Sequence, residues 1–112
     1  MKKNFLFKVL VCTAMLSNQV FAAELTFTNK EIDGKKVWKP ETATIKSNEK
    51  TTIKLVNTLD AVHGFEIPGL TEQVPVPGNK TIRIEVDKPK PGEYKFKCHM
   101  HPAHVGGKIT VE

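Results

Sequence analysis

From residue 24 onward the chain alternates. Thr51 to Asn57 places Ile53 and Leu55 on one face and Thr52, Lys54 and Val56 on the other. Thr81 to Val86 does the same, with Ile82, Ile84 and Val86 set against Thr81, Arg83 and Glu85. Tyr94, Phe96 and Cys98 share a face that Lys95, Lys97 and His99 do not. A two-residue period belongs to half-buried strands, and no stretch shows helical periodicity of useful length. Turn signals separate the runs: Asp33-Gly34, Ser47-Asn48, Pro68-Gly69 and Lys88-Pro89-Lys90-Pro91-Gly92. Further strands are expected over Glu24–Thr28, Thr42–Lys46 and His63–Ile67, with a last one around Ile109 and Val111. Val37-Trp38, just before Pro40, suits an edge or a strand start, and Trp38 a core or rim position. The expectation is an all-β sandwich of about seven strands.

The first 22 residues read differently. Met1-Lys2-Lys3 gives a basic start, Val9 to Leu16 is apolar, and Val20-Phe21-Ala22 offers a site for cleavage after Ala22. The uncharged run from Val9 to Ala23 is about 15 residues, short of the ~20 that span a bilayer. Residues 1–22 are therefore expected to be a Sec-type secretory signal to the periplasm, and 23–112 the single domain, with no stable membrane insertion after processing. The signal holds Lys2, Lys3 and Lys8 but no acid, so the net charge of +5 falls to about +2 in the processed chain. That balance argues for neither nucleic acid nor a polybasic membrane surface. Processing also removes Cys12, leaving Cys98 as the one thiol, unable to form an internal disulfide.

Cys98 opens the densest chemistry in the sequence: Cys98-His99-Met100-His101-Pro102-Ala103-His104. Thiol, imidazole and thioether are soft or borderline ligands that select copper or zinc over magnesium or calcium. Alternation makes Cys98 the last inward residue of its strand, with His101 and His104 in the loop beyond. His63 shares a face with Phe65 and Ile67 and so points inward. On its own it reads as a core histidine satisfied by hydrogen bonds; beside an unpaired cysteine cluster it reads as a sequence-distant ligand. His99 falls on the opposite face, toward solvent. Two histidines and a cysteine with a weaker fourth ligand suit a blue-copper electron-transfer site, whereas three histidines and a cysteine also suit tetrahedral zinc.

The processed chain resembles the cupredoxin family, of the plastocyanin-like, small bacterial type, over nearly all its length. The likeness rests on Trp38-Lys39-Pro40, on Val56-Asn57 ahead of His63-Gly64-Phe65, and on Tyr94-Lys95-Phe96-Lys97-Cys98. The run through His101-Pro102 to His104 and Gly106-Gly107 completes it. It implies a Greek-key β-sandwich binding one copper ion, cycling between Cu(I) and Cu(II), with His63, Cys98 and His101 as strong ligands. The departure is His104, which stands where relatives tend to carry an axial methionine. Met100 is the other axial candidate. The resemblance and the Irving–Williams order favour copper over zinc.

Two functions follow as expectations. One is a monomeric periplasmic electron carrier with a redox partner protein, docking through an apolar patch of Pro68, Leu70, Val76, Pro102 and Ala103. The other is copper storage or delivery between a donor and an acceptor, for which His99 and Met100 supply extra binding groups. Lys95 and Lys97 read as a solvated face. Catalysis is not expected, because four protein ligands leave no open position for substrate.

Overall fold

The computed structural model describes residues 23–112, and the signal read over residues 1–22, with Cys12, lies outside them. Nine strands form, and no helix is found among the described residues. They are β1 (Ala23–Ile32), β2 (Lys35–Lys39), β3 (Thr42–Ile45), β4 (Thr51–Asn57), β5 (His63–Phe65), β6 (Val74–Val76), β7 (Thr81–Val86), β8 (Gly92–Phe96) and β9 (Gly107–Val111). The all-β sandwich is as expected, with nine strands among the described residues against about seven read from the sequence. Besides β2, which completes the edge read at Val37-Trp38, the addition is β6, whose Val74-Pro75-Val76 reads as a proline-rich loop but pairs antiparallel with β5, Val76 opposite His63. An edge strand tolerates the missing proline N–H, and β6 is an edge.

One sheet runs β2-β1-β4-β7, and the other face is built from β3-β9-β8 and the β5-β6 pair. A bridge between Glu66 and Lys97 carries β5 onto the end of β8, with both amide-to-carbonyl distances at 2.9 Å. The pairings β1·β4 and β3·β9 are parallel, so the chain crosses between faces more often than simple hairpins require. The β1–β2 hairpin turns through Asp33-Gly34, with φ of 52° and 78°. Two positive-φ residues define the tight turn that matches strand twist, and Asp-Gly is the pair that tolerates it.

The alternation becomes core. In β4 every odd-numbered residue from Thr51 to Asn57 is buried and every even one half-buried. Phe27, Phe65 and Phe96 form a triangle with ring centroids 4.9–5.3 Å apart, and Trp38 meets Phe65 edge-on at 5.4 Å. All four are buried to 1% exposure or less. Truncating any one of these phenylalanines to alanine is expected to cost about 3–5 kcal/mol. Gly107 opens β9 instead of merely ending the loop. A side chain there would strike the Phe96 ring and the Glu41 carbonyl. Trp38 also lies beside the His104 ring, with centroids 6.2 Å apart.

Candidate metal centre

Each donor is delivered by identifiable local structure. His63 is the first residue of β5 and is fully buried. Cys98 lies two residues past the end of β8 and is 6% exposed, which agrees with its place in the inward row of Tyr94 and Phe96. The chain then turns. His104 N–H donates to the His101 carbonyl at 2.9 Å, closing a turn that carries Pro102 at the position proline favours. Val105 N–H donates to the Lys36 carbonyl at 2.9 Å and bridges Val37, so the loop is tied to β2 directly after His104.

The result is a convergence. Donor atoms of His63, Cys98 and His104 all lie within 4.8 Å of one another, and all three residues are buried. His101 stands beside them: its ring centroid is 4.2 Å from that of His63, but the residue is only half-buried. Its Nε2 lies 2.9 Å from the Val62 carbonyl. A carbonyl accepts only, so Nε2 carries the proton and Nδ1 the lone pair. Of the four expected ligands, then, three are gathered in the interior and His101 closes the solvent edge.

His63 is the most telling. Neither ring nitrogen has a hydrogen-bond partner, although both are buried. An unpaired buried polar group costs about 1–3 kcal/mol, and native structures rarely leave one without a reason. A metal ion is such a reason. Burial, then the neighbouring His101 and His104 and finally Lys36, push the His63 pKa down to about 4. Burial is also the main cause lowering His104, against the Val105 carbonyl, which raises it by accepting a hydrogen bond from the charged ring. Both imidazoles are held in the neutral form, the form in which a ring nitrogen can ligate.

The thiol is positioned from β5. Gly64 N–H donates to Cys98 Sγ at 3.2 Å, and Trp38 Nε1–H donates to the Gly64 carbonyl at 2.9 Å. Gly64 itself has no room for a side chain, because the His99 ring occupies the space. His99 is accordingly half-buried, with Nδ1 enclosed, and not the solvent-facing residue that alternation suggests. The strand has already ended at residue 96, so alternation no longer governs residue 99. Met100 is 41% exposed. The expected apolar patch divides. Val76 is fully buried, and Leu70 packs with the core near Tyr94, four residues before Cys98 along the chain. Pro102 and Ala103, by contrast, are exposed beside the histidines.

Two asparagines to which sequence reasoning gave no part in the site sit next to the centre. Asn29 and Asn57 are buried neighbours in the β1·β4 ladder, linked by Asn29 Nδ2 to Asn57 Oδ1 at 3.0 Å. Asn29 Oδ1 lies 2.7 Å from His104 Nε2. The one signal available was a polar residue continuing the inward row of Leu25 and Phe27.

The sequence pattern of the cupredoxin-like domain family matches residues 6–111, and the chain belongs to that family. No curated protein matches it. Fold, family and buried His-Cys-His cluster agree with one another. Among the described residues, no helix is long and apolar enough to cross a membrane.

Proposed function

We propose that this protein binds one copper ion through His63, Cys98, His101 and His104 and carries single electrons in the periplasm. The observation that carries the reading is His63, a neutral, fully buried imidazole with no partner at either nitrogen, facing a thiol and a second imidazole. That donor set suits copper better than any hard cation. Copper held there supplies a one-electron couple between Cu(I) and Cu(II). The protein's part is to keep the donors in place through both states, which the Glu66–Lys97 bridge and the Gly64–Cys98 hydrogen bond favour. His101 Nδ1 is the fourth donor at the solvent edge, and its exposed neighbours Pro102 and Ala103 give a redox partner protein a surface to meet. An imidazole at 104, in place of a thioether, favours Cu(II) and lowers the reduction potential. Four protein donors would leave no open position for a substrate, which supports a carrier.

Copper storage or delivery is the second reading. The exposed thioether of Met100 beside His101 favours it, as a group that can hand Cu(I) to an acceptor. Fast, reversible redox cycling supports the first reading; ready transfer of copper to a chelating acceptor with no accessible couple supports the second.

The test is to add Cu(II) to the purified protein and record visible and EPR spectra. An intense sulfur-to-copper charge-transfer band, lost in Cys98→Ser, is the expected outcome. A folded, copper-loaded protein without that band overturns the proposal, and a preference for Zn(II) in competition would replace copper with zinc.

A further inference from the structure

His104 faces two acceptors at once. Nδ1 lies 3.1 Å from the Val105 carbonyl and Nε2 lies 2.7 Å from Asn29 Oδ1. A neutral imidazole has one N–H, so only one of these contacts is a hydrogen bond. Which one is decided by groups that cannot change their minds. Asn57 Nδ2 lies within bonding distance of three backbone carbonyls, those of Ala61 at 2.9 Å, Val76 at 3.0 Å and Pro77 at 3.3 Å. Asn57 Oδ1 accepts from Leu59 N–H at 3.0 Å. Backbone chemistry thus fixes which end of the Asn57 amide is oxygen. That oxygen faces Asn29, so Asn29 must turn its NH2 toward Asn57 and its own oxygen toward His104. An oxygen there requires N–H on Nε2.

We infer that Asn29 is a positioning residue that locks His104 as the Nε2–H tautomer, presenting Nδ1 to the metal and making position 104 a seat built for imidazole. The chain of hydrogen bonds runs from the backbone at residues 59–77 through Asn57 and Asn29 to the ring, spanning three separate stretches of sequence. Metal-bound histidines are commonly held through their second nitrogen in this manner, and the carbonyl partner orients the ring and raises its basicity. A methionine at 104 has no proton to give and would leave Asn29 Oδ1 buried without a partner. Asn29 is fully buried in a row otherwise occupied by Leu25 and Phe27, a departure from apolar patterning of the sort that functional sites explain.

The inference rests on the copper reading only for the identity of the metal, and its first test needs no metal. Long-range 1H–15N correlation on the metal-free protein is expected to show His104 protonated at Nε2; protonation at Nδ1 overturns the inference. The second test is Cu(I) affinity by chelator competition. Asn29→Leu is expected to weaken binding about 10–100-fold, the range for outer-shell partners of metal-bound histidine. In a His104→Met background the same change is expected to alter affinity less than about threefold, since the partner proton is gone. An unchanged affinity in the histidine background, or equal losses in both, overturns a role through His104. A parent protein lacking the thiolate band sinks the copper reading instead, and the tautomer measurement then still decides whether Asn29 fixes the ring.

Discussion

Two kinds of backbone deliver donors to this end of the sandwich. His63 opens β5, and Cys98 follows β8; the two strands are tied by the Glu66–Lys97 bridge and by Gly64 N–H on the sulfur. His101 and His104 ride instead on a turn of four residues, anchored at its far side where Val105 joins Lys36. The wall is held by strand pairing that exists whether or not metal is present. The loop relies on side chains to do what pairing does for the wall: Val62 meets His101 and Asn29 meets His104. Rigidity in a metal centre can therefore come from a ladder or from an outer layer of hydrogen bonds, and this protein offers one for each half of the proposed donor set.

The strongest challenge to that contrast is His63→Leu. Leucine fills the same buried space without orphaned nitrogens. Metal affinity is expected to fall by more than about 100-fold, beyond the span of outer-shell changes. The metal-free protein is expected to gain roughly 1–3 kcal/mol, the cost of unpaired buried polar groups. His101→Ala, in the loop, is expected to keep a shifted but recognisable charge-transfer band. Chemical denaturation and copper titration of both variants check this. A His63→Leu protein no more stable than its parent would mean that the buried imidazole carries no penalty awaiting metal.

A pH series sharpens the same point. Burial holds His63 near pKa 4 in the folded state against 6.5 when exposed. Between those values the unfolded chain binds the extra proton, so metal-free stability rises with pH across the window and is lost as pH falls from about 6.5 to 4. At 1.36 kcal/mol per unit the effect approaches roughly 3 kcal/mol. Burial lowers His104 too, and it acts in the same direction. Comparing parent with His63→Leu by denaturant unfolding from pH 4 to 7 isolates the wall residue. Identical slopes for the two proteins would count against a buried, neutral His63.

What could be read from sequence follows the same division. The strands that carry the wall declare themselves, because a period of two is visible within six residues: β4, β7 and the Tyr94-Phe96-Cys98 row all lie where alternation puts them. Strand β6 is hidden by Pro75, which reads as a loop unless the strand is known to be an edge. In the loop His101 and His104 are conspicuous by type, but their relation is not. The family resemblance implies His101 as a strong ligand and His104 as a substitute for methionine, whereas the folded chain draws His104 inward with His63 and Cys98. The reason is a contact across 75 residues, Asn29 to His104, that no local pattern encodes.

Trp38 joins the two halves, and its replacement tests whether they are independent. Its Nε1–H holds the Gly64 carbonyl of the wall, while its ring lies 6.2 Å from that of His104 in the loop. Trp38→Phe removes the donor and leaves a buried carbonyl unmatched, for an expected loss of about 1–3 kcal/mol. Part of that loss comes from the smaller ring in a fully buried site. Because Gly64 also donates to Cys98 Sγ, the charge-transfer band should move as Gly64 relaxes, and it should do so without loss of bound copper. Thermal melts and visible spectra of the variant measure both. If stability drops but the band stays fixed, the strand bridge alone positions Gly64. If neither changes, Trp38 is core packing with a dispensable hydrogen bond, and wall and loop are joined only through the metal.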